Sequence, residues 1–167
     1  MHIRLLKESD ARAYRELRLE ALQDSPEAFA TTYEDELKKP LEDYRSRLSR
    51  RGFWIFGAFE NDKLVGVVTL IREQGRKLQH RSSIVAMYVT SEGRRNGIGK
   101  YLMQSAIHHA KQTKGIEQIY LSVVTTNTAA IGLYLSLGFE IYATEKRAMK
   151  FGESTYWDEY HMVLYLT

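Results

Sequence analysis

The sequence contains no cysteine and only two prolines among its 167 residues. Without cysteine the chain cannot form a disulfide framework, a zinc–thiolate site or a cysteine nucleophile. Both prolines, Pro26 and Pro40, lie in the first quarter of the chain, so the remainder has no proline breaks. There is also little net charge, since 24 basic and 21 acidic side chains give a formal charge of +3. This near balance argues against a nucleic-acid-binding surface, which needs basic residues gathered on one face.

Long apolar runs are missing as well. The first residues, MHIRLLKESD, lack the apolar core of a signal peptide, and no stretch approaches the roughly 20 apolar residues of a membrane span. We therefore expect a cytoplasmic protein without membrane contact. The hydrophobic content of 44% is sufficient for one packed core. No repeat or linker divides the chain, so the sequence predicts a single domain, residues 1–167.

The first half of the chain changes its hydrophobic period once. Behind Ser9–Asp10, a suitable N-cap, apolar residues recur at helical spacing, and Leu41 to Leu48 predicts a second, shorter helix. The runs FWIFGAFE and KLVGVVTLI are then aromatic and β-branched, and Asn61-Asp62 joins them in a predicted hairpin. A third strand, SSIVAMYVT, follows.

The second half begins with a glycine-containing loop. Apolar residues at every fourth position then predict a helix from Gly99 to about Lys114, and the next strand is QIYLSVV. A helical stripe from Ala130 to Leu137 and two strands, FEIYATEKRAMK and YHMVLYL, follow. The order strand, loop, helix, strand is a βαβ unit, which implies a parallel pair in a sheet whose early strands are hairpin-linked. The predicted fold class is α+β around a mixed sheet.

The loop itself reads RRNGIGK, from Arg94 to Lys100. A strand that leads through glycines into a helix points free backbone N–H groups and the positive end of the helix dipole at one place, which favours phosphate or pyrophosphate. A P-loop would need glycine instead of Arg94 and serine or threonine instead of Tyr101, and a dinucleotide fingerprint would need a small residue instead of Leu102. Both motifs are excluded. An ordinary turn with solvated arginines is the alternative.

After Arg94-x-x-Gly97-x-Gly99, the chain continues with Asn127, Ala130, Leu133-Tyr134 and Gly138-Phe139. Together these motifs, which extend along nearly the whole chain, resemble those of the GCN5-related N-acetyltransferases, the GNAT family. The resemblance implies the acyl-CoA N-acyltransferase fold, an α/β/α arrangement whose mixed, mostly antiparallel sheet contains a parallel pair that splays apart around acetyl-CoA. It also implies direct transfer of the acetyl group to a primary amine of a small molecule or peptide. The matching residues occur in family order and spacing.

The resemblance assigns roles to individual residues. Tyr134 would face the thioester sulfur as the general acid, although a tyrosine in an apolar stripe is also typical of a core residue. Asn127 would hydrogen-bond the pantetheine arm or its neighbouring backbone. The expected cofactor-binding residues are Met87, Tyr88, Val89, Arg94, Arg95, Asn96, Gly97, Ile98, Gly99, Lys100, Asn127 and Tyr134.

The general base is left open by the sequence. Some family members have a glutamate on the strand before the loop, but SSIVAMYVT contains no acid. An aliphatic amine with a pKa near 10.4 is protonated at neutral pH, so a base or a water chain must remove a proton before it attacks. The candidates are Glu34, Asp35, Glu36, Glu159 and His161.

The acceptor is expected between PEAFATTYEDE and KFGESTYWDEY, two acidic and aromatic segments. A cavity entrance lined by acidic and aromatic side chains suits a cationic amine. Polyamines, aminoglycoside-like compounds, amino-acid amines and protein N-termini all meet this description. The candidate substrate-binding residues are Phe29, Tyr33, Glu34 and Glu159. The alternative is an edge strand with solvated charges.

Two further expectations concern metals and partners. Adjacent residues on a helix point about 100 degrees apart, so His108-His109 does not form a ligand pair, and we expect no metal site. Exposed aromatic C-terminal strands would allow a homodimer. The alternative function is a non-catalytic acetyl-CoA or CoA sensor of the same fold.

Overall fold

Residues 1–166, which the computed structural model of the chain describes, form seven strands and five α-helices. The strands are β1 (His2–Leu5), β2 (Phe53–Glu60), β3 (Lys63–Arg72), β4 (Arg81–Val89), β5 (Gln118–Val124), β6 (Glu140–Phe151) and β7 (Thr155–Tyr165). The helices are α1 (Ala11–Asp24), α2 (Tyr33–Leu37), α3 (Leu41–Leu48), α4 (Ile98–Gln112) and α5 (Thr128–Ser136), with single 3-10 turns at Glu8–Asp10 and Pro26–Ala28.

All seven strands belong to one sheet, in the order β1-β2-β3-β4-β5-β7-β6. Every neighbouring pair is antiparallel except β4 and β5, which are parallel. The predicted fold class is thereby confirmed. The pattern analysis did not predict β1, because HIRL is short and half polar, and its strand conformation comes from pairing with β2.

Helices cover both faces of the sheet. Successive residues of β3 point to opposite faces, so Val67 packs in a core with Tyr14 and Leu17 of α1, while Val68 packs in a second core with Leu102 of α4. The apolar stripes that the sequence predicts for α1 and α4 each pack into one of these two cores. The layers are therefore helix, sheet, helix.

The parallel pair is short, and its divergence creates the opening at the centre of the sheet. β4 and β5 are in register only from Arg81 opposite Gln118 to Ser83 opposite Tyr120. Beyond that point a bulge interrupts β4, where Ala86 has φ 52° and the pairing with β3 shifts register. β5 continues along β7. The two strands consequently separate towards their carboxyl ends.

A buried carboxylate organises the helices on one side of this opening. Glu36 of α2 is fully buried and accepts hydrogen bonds from Arg18 Nε at 2.7 Å, Tyr44 Oη at 2.7 Å and Lys39 Nζ at 3.0 Å. Burial by itself raises the pKa of Glu36, but these three donors outweigh it and lower the pKa to about 2. The carboxylate thus joins α1, α2 and α3.

We expect Glu36→Gln to lower the free energy of unfolding by about 3 kcal/mol at neutral pH, because it leaves buried cations without a counter-charge. The folded-state pKa is depressed, so the contribution of Glu36 is complete above the usual carboxyl pKa and is lost as the pH falls towards about 2. Urea unfolding at pH 7 and pH 3 measures both effects. The control is Glu34→Gln, an exposed position of the same helix. Equal stability of wild type and Glu36→Gln at pH 7 would contradict this account.

Candidate active site

A cavity of about 580 Å³ occupies the space between the diverging ends of β4 and β5. The loop before α4 closes one end and α5 closes one side. The structure brings together ten of the twelve residues for which the sequence predicts a cofactor role. Those that line this cavity are Met87, Val89, Arg94, Arg95, Gly97, Ile98, Gly99, Lys100, Asn127 and Tyr134.

The other two residues, Tyr88 and Asn96, do not line the cavity. The side chain of Tyr88 is buried against α1, where its hydroxyl donates to Glu20 and Asp24 at 3.1 Å each. Burial and these two carboxylates raise the pKa of Tyr88. Its side chain therefore fastens β4 to α1, and Asn96 is exposed on the loop.

The loop presents a row of free backbone donors. The N–H groups of Gly93 and Arg94 bond to the carbonyl of Thr90, whereas those of residues 95–100 have no acceptor in the described part of the chain. Gly97, at φ 75°, makes the turn into α4, whose first N–H groups have no intrahelical partner. Consecutive unpaired N–H groups at a helix N-terminus form an anion site.

Side chains add positive charge to this site unequally. Arg94 forms an ion pair with Asp24 of α1 and donates from Nε to the carbonyl of Val89 at 3.0 Å. The hydrogen bond from Arg94 lowers the pKa of Asp24. Arg94 thus anchors the loop to α1, and its charge is already partly neutralised. Arg95 and Lys100 have no acidic partner within residues 1–166.

Two residues face the cavity from α5. Asn127 is the N-cap of this helix, and its Oδ1 accepts from the N–H of Ala130 at 3.2 Å. The ring of Tyr134 packs edge-on against Phe139 and is only 7% exposed. Burial raises the pKa of Tyr134 to about 12, and its hydroxyl has no hydrogen-bond partner in the described residues. The phenol is therefore protonated and available to an occupant of the cavity.

A second cavity, of about 780 Å³, adjoins the first on the side of α1 and α3. The two cavities share Ala28, Ile84, Val85, Ala86, Leu121, Ser122 and Glu159. A molecule in the second cavity can thus meet a molecule in the first at the place where the strands separate.

Glu159 stands at this junction, because it lines both cavities from β7. Burial raises the pKa of Glu159, and Glu145 on β6 raises it further, while His161 acts in the opposite direction. His161 lines only the second cavity, with its Nδ1 2.9 Å from Ser122 Oγ and its Nε2 2.7 Å from Glu145 Oε2.

The remaining candidate bases lie elsewhere. Glu34 and Asp35 are exposed on α2 and line neither cavity, and Glu36 is held as a carboxylate by its three donors. A carboxylate with so low a pKa is a poor proton acceptor. The geometry leaves Glu159 and His161 as the candidates near the junction.

The second cavity differs from the acidic entrance that the sequence predicts. Phe29 and Glu159 line it, but Tyr33, Glu34 and the Tyr156-Trp157 pair do not. Its charged side chains are mostly basic: Arg18, Arg47, Arg50 and Arg81, with Glu159. Sequence reasoning missed these arginines because they come from α1, α3, the segment after it and β4, without any local motif.

Fold and cavity together define an α+β protein built around a splayed strand pair, with a loop of unpaired backbone N–H groups at one end of the cavity. The chain belongs to the acetyltransferase (GNAT) family, whose family model matches residues 14–139. The membership predicted from the sequence is confirmed.

Named relatives agree with this assignment. N-acetyltransferase 8 of Homo sapiens is 33% identical over 99 residues, which cover 58% of this chain and 42% of that protein. The chain spans about half the length of the first curated relatives it matches, 42% and 47%. Among solved structures, a ribosomal-protein-alanine N-acetyltransferase from Brucella melitensis has a TM-score of 0.85 and 26% identity, covering 99% of this chain and all (100%) of that one. YncA of Salmonella typhimurium, a putative acetyltransferase solved with its cofactor acetyl-CoA, has a TM-score of 0.79 and 22% identity over 99% of this chain and 94% of that one.

Two features are absent from residues 1–166. None of the helices there is long and apolar enough to span a bilayer. In the same part of the chain, no three His, Asp or Glu side chains cluster in a way that would hold a metal ion.

Proposed function

We propose that this protein is an N-acetyltransferase that moves the acetyl group of acetyl-CoA to a primary amine. The observation that carries the proposal is the continuity of the first cavity, which runs from the free N–H groups of residues 95–100 to the hydroxyl of Tyr134. An anion site and an unpartnered proton donor in one cleft suit a cofactor with a diphosphate at one end and a thioester at the other. The acetyl-CoA bound to YncA of Salmonella typhimurium, which shares the fold, supports the choice.

The residues present fit that cofactor. The N–H groups of residues 95–100, with Arg95 and Lys100, would hold the diphosphate, and the backbone of Met87 and Val89 would hold the pantetheine arm. At Gly99 a Cβ would lie 3.0 Å from Met87 Cε, so the absence of a side chain at this position leaves room beside Met87 at the cavity wall. When bound, acetyl-CoA supplies the activated acetyl thioester.

Residues of the chain would then accept a proton from the acceptor and donate a proton to the leaving group. Glu159, at the junction of the cavities, accepts the proton of the acceptor ammonium group, directly or through water, and makes the amine nucleophilic. Tyr134 would donate a hydrogen bond, and finally a proton, to the thiolate that leaves as the carbon–sulfur bond breaks. The second proton that the acceptor nitrogen loses on forming the amide then restores the phenol, directly or through water. The proton acceptor and the proton donor thus line the same cleft.

The first test concerns the loop. Gly97→Val is expected to lower acetyl-CoA affinity about 100-fold, because valine disfavours φ 75° and displaces the N–H groups that hold the diphosphate. The thermal shift at millimolar acetyl-CoA measures the change, since a micromolar Kd corresponds to about 4 kcal/mol of stabilisation.

The matched control is Gly152→Val, a glycine at φ 68° in the β6–β7 turn with open space around it. Both variants carry a similar backbone strain, but only Gly97→Val should lose the shift. Equal shifts in wild type and Gly97→Val would reject the cofactor site. Stabilisation without acetyl-CoA-dependent thiol release across a broad amine panel would instead favour the non-catalytic sensor.

The acceptor class is part of the proposal only as a primary amine of a small molecule or peptide. A cytoplasmic location and a homodimer stay predictions.

A further inference from the structure

Arg81 is an unsatisfied cation in the second cavity. Its Nε is buried and has no hydrogen-bond partner within residues 1–166, although its guanidinium lies over the ring of Tyr120, 4.3 Å from the centroid. A buried donor without a partner costs free energy, and such a group calls for an explanation, such as strain, a functional role, or a bound water or ion. Arg81 lines the cavity together with Tyr120 and forms no ion pair within residues 1–166. An occupant of the cavity can therefore bond to the terminal nitrogens of its guanidinium group, while the enclosed Nε is out of contact with solvent.

Two more arginines of the same cavity belong to the Glu36 cluster. Arg18 Nε is 2.7 Å and Arg47 Nη1 is 3.9 Å from Glu36 Oε1, and Lys39 Nζ is 3.0 Å from the other oxygen. One carboxylate therefore faces three cations, and positive charge is left over at the cavity wall.

The fourth arginine adds to this excess. Arg50 lies over the ring of Phe53, 4.5 Å from the centroid, and has no acidic partner in the described residues. Guanidinium groups bind carboxylate and phosphate oxygens through paired hydrogen bonds, and they do so more strongly where water is partly excluded.

Glu159 and Arg81 both line the cavity but lie beside opposite ends of β5. Along β5, Arg81 is opposite Gln118, before the strands separate, whereas Glu159 is opposite Val124, at the far end of the strand. A ligand that points its amine to Glu159 and the acetyl thioester thus directs its remaining atoms towards the arginines.

We propose that the acceptor is a small amine that also carries an anionic oxygen group, a carboxylate or a phosphate, held by Arg81 and Arg50. This inference rests on the acetyltransferase function proposed above, whose acceptor site it specifies. It disfavours polyamines and other purely cationic acceptors, because several cations at the wall would repel them.

The test compares amines that differ by one anionic group. Binding of L-glutamate and L-glutamine, of O-phospho-L-serine and L-serine, and of spermidine is measured by calorimetry with CoA present, so the readout does not require turnover. In the wild type, the anionic member of at least one pair should bind about 10- to 100-fold more tightly. The glutamate pair reports a carboxylate and the serine pair a phosphate.

Two variants locate the effect. Arg81→Met keeps the length of the side chain and removes the unpaired Nε, so thermal stability should be retained while the preference falls to within about twofold. Arg50→Gln, at an exposed position, should reduce the preference for the anionic amine several-fold without affecting folding. Arg76→Gln is the control, because Arg76 is exposed and lines neither cavity.

The inference is overturned if neither pair shows a preference, if spermidine binds most tightly, if none of the probes binds, or if Arg81→Met and Arg50→Gln both retain the wild-type preference. It fails separately from the proposed function. Selective binding of the anionic amines without thiol release would support this site and reject acetyl transfer, whereas rapid acetylation of spermidine would do the reverse.

Discussion

Tyr134→Phe should lower kcat by about 10² to 10⁴ and leave the Kd for acetyl-CoA nearly unchanged, which is the effect of removing one general acid. The hydroxyl of Tyr134 has no partner in the described chain, and burial raises its pKa to about 12. A thiol has a pKa near 8.5, so proton transfer from this phenol to a thiolate is uphill. Catalysis then comes from a hydrogen bond that strengthens as the sulfur gains negative charge, with transfer completed late.

Tyr134→Phe removes only the hydroxyl group, because the phenylalanine ring retains the edge contact with Phe139. Thermal stability and acetyl-CoA binding should therefore match the wild type, and steady-state and binding measurements together separate kcat from affinity. Tyr101→Phe is the control, since Tyr101 is half exposed on α4 and does not line the cavity. An unchanged kcat in Tyr134→Phe would make this tyrosine a core residue only.

Glu159→Gln should lower kcat/KM by about 10² to 10³ near neutral pH, because the amide cannot accept the proton of the acceptor amine. The base works in its ionised form, so kcat/KM should rise as the pH rises through the pKa of Glu159. Burial raises that pKa, which moves the acid limb of the pH profile above the usual carboxyl range. In Glu159→Gln this limb should disappear.

Two further variants make the assignment falsifiable. Glu140→Gln is a control on the exposed face of β6 and should leave the profile unchanged. His161→Asn removes the imidazole that contacts Ser122 and Glu145 but retains Glu159. The base would be His161 instead if two results were found together. His161→Asn would lose the acid limb of the pH profile, and Glu159→Gln would retain both its activity and the wild-type pH profile.

Local patterns in the chain were sufficient to predict most of the architecture. Period-two runs predicted β2, β3 and β4, and helical stripes predicted α1, α3, α4 and α5, because burial on one side imposes those periods. The helix α4 ends at Gln112, two residues before the predicted Lys114, since Thr113 adopts an extended conformation. β1 carries no such pattern, since a short edge strand depends on its partner.

The cofactor side of the site follows local sequence too. Arg94 to Lys100 combines glycines with a helix start, and backbone N–H groups point into the turn whatever the distant residues are. What tertiary packing changed is the use of individual side chains. Arg94 forms an ion pair with Asp24, and the hydroxyl of Tyr88 bonds to two carboxylates of α1. Neither contact can be predicted from the local sequence.

The sequence by itself thus determined the fold class and the glycine-containing loop before α4, because both depend on periodicity and backbone geometry within a few residues. Only the tertiary structure decided the charge of the second cavity. Arg18, Arg50 and Arg81 are far apart in the chain but line one cavity, while the acids of EDE, which include Glu34, turn outward or are neutralised. Charge that is balanced along a sequence can be strongly unbalanced in space, and an acceptor responds to the spatial arrangement.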